Sequence, residues 1–301
     1  MKKELIPEPR PLVATTISAK PNQKGQLRNR FSTNLLTDLF YVPRRFLETM
    51  LIQVLTTEEK ARLSRYLFNV FPKAPGEAVP VWGETLAPWE ETWFRRRLPA
   101  PPARVLLGGC GAGREVVALM KEGFYVDAFD PAPNLVSSTR AAVGDKARIL
   151  TFGYEELSAA VLDDTSGPAS SLEKYYDAVL LGWGSLTCLM DPTERMRLIR
   201  ALDLICPKGP ILASFWCTNG YSPRKPTRRR TERLGRALGV AMAKLRGVRP
   251  ETASQEHFMA HSGFGHVFAP EEIEQLGATI GRSVIWDCDD TDYSHVTFVA
   301  Q

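Results

Sequence analysis

From about residue 104 onward, short unbroken apolar runs alternate with longer stretches that are apolar at every third or fourth position. Arg104–Gly108 suits a buried strand, and Glu115–Glu122 repeats with a helical period. Phe124–Phe129 reads as a second strand ending at Asp130, followed by a helix over Ala132–Val143 and a strand over Ala147–Phe152. A polar loop over 163–171 leads to a strand at Tyr176–Leu181, a helix over Pro192–Cys206 and a strand at Pro210–Phe215. After a basic interruption, Pro270–Leu276 reads as a helix, and Ser283–Trp286 and His295–Val299 as closing strands. The alternation predicts an α/β fold: a doubly wound, mostly parallel seven-stranded sheet with helices on both faces.

The chain before residue 98 has a different pattern. Residues 1–26 are rich in proline and polar side chains and read as an extended or poorly ordered lead-in. From Phe31 to Phe71 the period is helical, with Phe46, Leu47, Met50, Leu51, Val54 and Leu55 on one face. Thr56 or Thr57 then caps a second helix, whose buried face is expected to carry Leu63, Tyr66, Leu67 and Val70. Trp82, Trp89, Trp93 and Phe94 crowd residues 81–97, either as packing between the helices and the main domain or as an aromatic wall over a pocket. The stiff Pro99–Ala103 stretch marks the expected boundary between an N-terminal helical cap, 1–98, and a main domain, 104–301.

Composition narrows the class. With 44% apolar and 24% charged residues, the chain reads as an ordinary soluble protein. It shows no membrane-length apolar run and no signal-peptide pattern. Five scattered cysteines without CxxC spacing suggest free thiols in a reducing, cytoplasmic compartment, and no zinc site. The net charge of +4 is uneven. Residues 224–249 hold ten Lys/Arg and one acid, Glu232, leaving 28 basic against 33 acidic residues elsewhere. An acidic body with one basic element argues against a nucleic-acid-binding domain. In that element Leu234, Leu238, Ala241, Met242 and Leu245 share a helical face, expected to pack inward. Arginines without interleaved aromatics fit stacked single-stranded RNA poorly.

The chemistry-bearing motif follows the first strand. Gly108, Gly109, Gly111 and Gly113 fall within six residues, just before a helix. Such glycines let backbone N–H groups approach a ligand at the positive end of a helix. Asp130, ending the next strand, stands where its carboxylate can accept hydrogen bonds from ribose hydroxyls. The GxGxG spacing, with Arg114 where a dinucleotide loop has its third glycine, favours a ligand without a pyrophosphate.

At these residues the chain resembles the class I S-adenosylmethionine-dependent methyltransferases. Val105–Gly113 looks like the family's first motif, and Val126–Leu135 its second-strand motif. Phe152–Leu157 lies where the adenine is often contacted, and Tyr176–Leu186 resembles the fourth-strand motif beside the methyl group. Leu198–Leu212 and Gly265–Ile273 resemble the fifth-strand unit and the opening of the last helix. The resemblance covers roughly 104–301, with an insertion at 217–265 where substrate caps usually occur. It implies a Rossmann-like methyltransferase domain that binds S-adenosyl-L-methionine and releases S-adenosyl-L-homocysteine. The implied cofactor contacts are Gly108, Gly109, Cys110, Gly111, Gly113, Asp130, Pro131, Tyr154, Glu155, Gly182 and Trp183. Trp183 is also an expected pocket wall, with His257, His261 and His266 as further acceptor-site residues and His266 the candidate base. No metal is expected. The family often has an acid two residues before the first loop glycine, and here that position is Leu107. The cofactor's ammonium must then meet backbone carbonyls of Gly109 and Gly182, or another acid.

The two-sided cap suits a small or peptide-like acceptor of anionic character, methylated on O or N. The alternatives are an RNA or protein methyltransferase docking through 224–249, a nicotinamide oxidoreductase, and a cofactor-binding partner without catalysis.

Overall fold

The computed structural model describes residues 43–70, 86–218, 226–248, 256–259, 263–288 and 293–301. The chain divides into two compact units, Met1–Arg44 and Arg45–Gln301. Of the first, only Pro43 and Arg44 are described, and every described strand belongs to the second. The Pro99–Ala103 stretch, expected as a domain boundary, lies inside this second unit.

Seven strands form the main sheet: β1 (Arg104–Gly108), β2 (Tyr125–Asp130), β3 (Arg148–Thr151), β4 (Ala178–Leu181), β5 (Ile211–Ser214), β9 (Ser283–Trp286) and β10 (His295–Val299). Their order is β3-β2-β1-β4-β5-β10-β9. The first five strands pair in parallel, and β10 runs antiparallel to both β5 and β9. The expected doubly wound, mostly parallel sheet is therefore present. The chain winds outward from β1 in one direction and from β4 in the other, so the topological switch lies between these two strands.

Alternation along the strands builds two cores. Val105, Leu107, Ala178, Leu180 and Leu212 face one side, under α3 (Pro88–Arg97), α4 (Arg114–Lys121) and α5 (Pro133–Val143). Leu106, Val179, Leu181, Ile211 and Ala213 face the other, under α6 (Tyr154–Leu162), α7 (Pro192–Ile205) and α9 (Pro270–Thr279). Asp191 starts α7 by accepting hydrogen bonds from the Thr193 and Glu194 backbone, with Pro192 at the first helical position.

Three elements escaped the periodicity. Helix α3 is polar on average, and its register is set from outside: Trp93 Nε1 donates to Thr297 Oγ1 at 3.0 Å, and Arg97 forks onto Asp287. These contacts tie the tryptophan-rich segment to β10 and the loop after β9. Helix α6 is short, and its start is set by Glu156 accepting from Gly153 N. A second, three-stranded sheet holds β6 (Trp216–Cys217), β8 (Gly263–Phe268) and β7 (Glu256–Met259) in that order.

Two expectations about the remaining helices are corrected. In α2 (Thr57–Val70), capped by Thr56 Oγ1 accepting from Glu59 N, Tyr66 is 58% exposed. Leu63 does pack, half-buried, on the Ile52, Met190 and Phe264 cluster, but the most buried positions are Lys60 and Ser64, set against β7 and β8. In α8 (Pro226–Leu245) the leucine stripe does not pack inward. Leu234 is 65% and Leu245 88% exposed, with Leu238, Ala241 and Met242 exposed as well. The packed face is Gly235 against Phe46 and Gly239 against Met50 and Gln53 of α1 (43–54), with Ala243 on the same face fully buried. A Cβ on Gly235 would stand 2.6 Å from the Phe46 carbonyl oxygen, so the two backbones approach where leucines have no room.

Candidate cofactor and acceptor site

The glycine loop sits at the carboxyl end of β1 and is fixed by its neighbours. Cys110 N donates to Phe129 O at 3.0 Å, and Thr139 Oγ1 donates to Gly111 O at 2.9 Å. Asp130 accepts from Gly111 N through Oδ2 and from Ala132 N through Oδ1, both at 2.9 Å. Gly109 has φ of +68°, and a Cβ there would stand 2.6 Å from Ser185 Cβ. Gly182 donates its N–H to Gly108 O at 2.7 Å, and its own Cβ would meet Gly109 O at 2.5 Å. The tips of β1 and β4 thus touch through glycines at the topological switch.

Beside this contact lies a cavity of about 450 Å³. Of the residues implied by resemblance, Gly109, Cys110, Gly111, Asp130, Pro131, Tyr154, Glu155 and Trp183 line it. Gly108, Gly113 and Gly182 do not. Their place is in close packing, Gly108 against the Phe129 and Tyr154 rings and Gly113 against Thr139. Sequence reasoning missed Glu115, Phe129, Ser185 and Leu189, and the α2 residues Arg65 and Phe68, which all line the cavity. Glu115 had a signal, an acid in the first turn of the loop's helix. Arg65 and Phe68 had none, because they arrive from a distant part of the chain.

No protein-family model matches the chain, and no curated protein matches it in sequence. Among solved structures it is similar to the CcbJ methyltransferase of Streptomyces caelestis, at 15% identity and a TM-score of 0.51. That match covers 78% of this chain and 98% of the other. It is also similar to an S-adenosylmethionine-dependent methyltransferase of Leishmania major, at 11% identity and a TM-score of 0.50, over 81% and 84% of the two chains. This is the fold of the S-adenosylmethionine-dependent methyltransferases.

Within this methyltransferase fold the cavity wall divides by chemistry. One end is aromatic: Phe129 stacks on Phe152 at 4.3 Å between centroids, and Tyr154 meets Phe129 edge-on. Tyr154 and Ser185 share a hydrogen bond of 2.5 Å, and burial pushes the tyrosine hydroxyl far above its usual range. It therefore stays neutral. Burial, reinforced by Asp130 and Glu115, likewise raises the Cys110 thiol, which is protonated and no nucleophile. Burial also raises the Glu155 carboxyl at the rim.

The other end holds Trp183, Arg114 and Glu115. The Arg114 guanidinium lies 5.2 Å from the Trp183 ring centroid and is gripped by Glu90 through two hydrogen bonds, at 2.5 and 2.7 Å. Trp183 backs onto Trp89 and Tyr293 edge-on. Its Nε1 is buried with no partner among the described residues. The aromatic segment thus serves both expected roles: Trp93 packs on the sheet, and Trp89 braces the pocket wall. Trp82 lies outside the described residues.

The histidines fall elsewhere. His266, the expected base, is buried in β8 and absent from the cavity lining; its Nε2 faces Glu272 at 3.1 Å and its ring meets Phe268 edge-on. Burial, then the nearby Arg195 charge, lowers its pKa. His257, in β7, packs edge-on against Trp216 and is also away from the lining. His261 lies outside the described residues. Among the described residues no three His, Cys, Asp or Glu converge as metal ligands. A second cleft, of about 570 Å³ and lined by Arg104, Tyr125 and Arg148 at the strands' amino ends, lies away from the switch point where such sheets bind ligands.

Proposed function

We propose that this protein is an S-adenosylmethionine-dependent methyltransferase acting on O or N of a small or peptide-like acceptor. The observation that carries this reading is the Asp130 contact. One carboxylate at the end of β2 holds the loop amide of Gly111 and borders the cavity at the switch point. A carboxylate at the end of this strand is the group that accepts hydrogen bonds from ribose hydroxyls in such folds. Among the described residues nothing lies within 4 Å of a Cβ built on Gly111, so the loop leaves a ligand room there.

The cofactor supplies an activated methyl group on a sulfonium. The protein's work is then alignment and exclusion of water. Positioning of that kind is worth roughly 7–11 kcal/mol. Phe152 and Tyr154 form the adenine side, Asp130 the ribose side, and Trp183, braced by Trp89 and Tyr293, walls the reacting end. Arg65 and Phe68 of α2 reach the cavity, which supports an N-terminal cap over the acceptor, with 217–265 as the second cap. Arg65 gives that mouth a cation for an anionic acceptor. We assign no base to His266, whose imidazole is committed to Glu272. The free cysteines, three of them buried, suit a reducing cytoplasm.

Calorimetry of the purified protein with S-adenosylmethionine and S-adenosylhomocysteine tests the reading. Binding of both, and transfer of labelled methyl to a component of host extract identified by mass, is the expected result. No binding of either overturns it.

A second reading is favoured by α8. Its leucine stripe is exposed among Arg230, Arg233 and Arg236, a surface suited to docking a macromolecular acceptor. On that reading, neutralising these arginines abolishes methylation of a macromolecule, and binding weakens steeply with salt.

A further inference from the structure

We propose that the Glu115 carboxylate is the anionic partner of the ammonium group at the amino-acid end of the bound methyl donor. The assignment rests on the methyltransferase reading above and names the residue that recognises one part of the ligand.

Among the described residues four carboxylates line the cavity: Glu115, Asp130, Glu155 and Glu156. Asp130 is engaged by two backbone amides, and Glu156 accepts from Gly153 N. Both, with Glu155, belong to the Asp130–Glu156 side of the cavity, beside the Phe152 and Tyr154 wall. Glu115 is at the Trp183 end, its Oε1 3.4 Å from Trp183 N, and is only 6% exposed. Leu107, fully buried in the sheet core, brings no charge to this end.

The charges around Glu115 do not balance. Arg114 is matched by Glu90, which holds both Nη1 and Nη2. Glu90 is itself buried and also accepts from Ala87 N at 2.8 Å. Glu115 shares only Nη2, at 2.9 Å. Among the described residues, two buried carboxylates share one guanidinium, which leaves one negative charge on the cavity wall. An uncompensated buried charge is costly, and an incoming cation removes that cost. Burial raises the Glu115 pKa, which Arg114 only partly offsets. Trp183 Nε1, at the same end, is a buried donor with no hydrogen-bond partner among the described residues.

The test compares two nucleosides on wild type and Glu115→Gln. S-adenosylhomocysteine carries the amino-acid end; 5′-deoxy-5′-methylthioadenosine keeps the adenine, ribose and sulfur but lacks it. The variant is expected to bind S-adenosylhomocysteine about 10- to 100-fold more weakly, the loss of one charge-assisted contact. Methylthioadenosine should bind both proteins within about twofold, which also reports an intact site. Equal S-adenosylhomocysteine affinity in both proteins overturns the assignment alone. Equal loss of both nucleosides overturns it too, because Glu115 would then be structural. Failure of the wild type to bind S-adenosylhomocysteine overturns the methyltransferase reading, and the assignment with it.

Discussion

Arg114 and Glu90 face each other fork to fork, Nη1 to one carboxylate oxygen at 2.5 Å and Nη2 to the other at 2.7 Å. The pair joins the first residue of α4 to α3, and so ties the glycine loop to the tryptophan-rich segment. Glu90→Ala leaves the guanidinium half-matched and Ala87 N without its acceptor. Glu115 still neutralises the guanidinium, so the expected loss is about 1–3 kcal/mol, the cost of the buried N–H groups left without an acceptor. Urea denaturation should show that loss, with Glu90→Gln milder because the amide oxygen still accepts.

Asp130→Asn should weaken S-adenosylhomocysteine binding by about 10- to 100-fold. The native carboxylate accepts from Gly111 N and Ala132 N with different oxygens. An amide has one oxygen, so one of those N–H groups must face an NH₂. Calorimetry on the variant checks the affinity, and a melt separates it from unfolding.

Lys60 and Glu256 form a buried ion pair of 2.6 Å between α2 and β7. Glu256→Gln should destabilise the fold by about 3–5 kcal/mol, since it leaves a buried ammonium without its counter-charge. The double replacement Lys60→Met with Glu256→Leu should recover most of that loss. Chemical denaturation of the three variants measures the difference.

His266 carries a pH dependence of stability whose sign is set by its environment. Burial, with Arg195, lowers the native pKa below the ordinary 6.5, although Glu272 opposes the shift. Its contribution is complete above about pH 6.5, where the unfolded ring is neutral too. It is lost as pH falls toward the native pKa, because the unfolded ring binds the proton first. An NMR titration of the ring should give a midpoint below 6.5. His266→Gln should flatten that acid-side loss and leave methyl transfer at pH 8 intact, since the ring is off the cavity.

Much of the sheet was legible because a buried strand must be apolar on both faces. Val105, Leu106 and Leu107 show this directly, split between the two cores. The α8 stripe misled for the opposite reason. Periodicity shows that residues share a face, but not which face meets the protein, and here close backbone approach at Gly235 and Gly239 took precedence over leucine burial. Helix α3 was missed because its position depends on Thr297 and Asp287, about two hundred residues away.

The sequence by itself determined the parallel α/β architecture, the glycine loop and Asp130, because strand period, turn chemistry and the βαβ connection are local. Only the tertiary structure decided which glycines face the cavity and which merely let β1 touch β4. It likewise brought Glu90, Arg114 and Glu115 into one buried group with a charge left over. Contacts between distant segments, and the desolvation that gives them weight, exist only once the chain has closed around them.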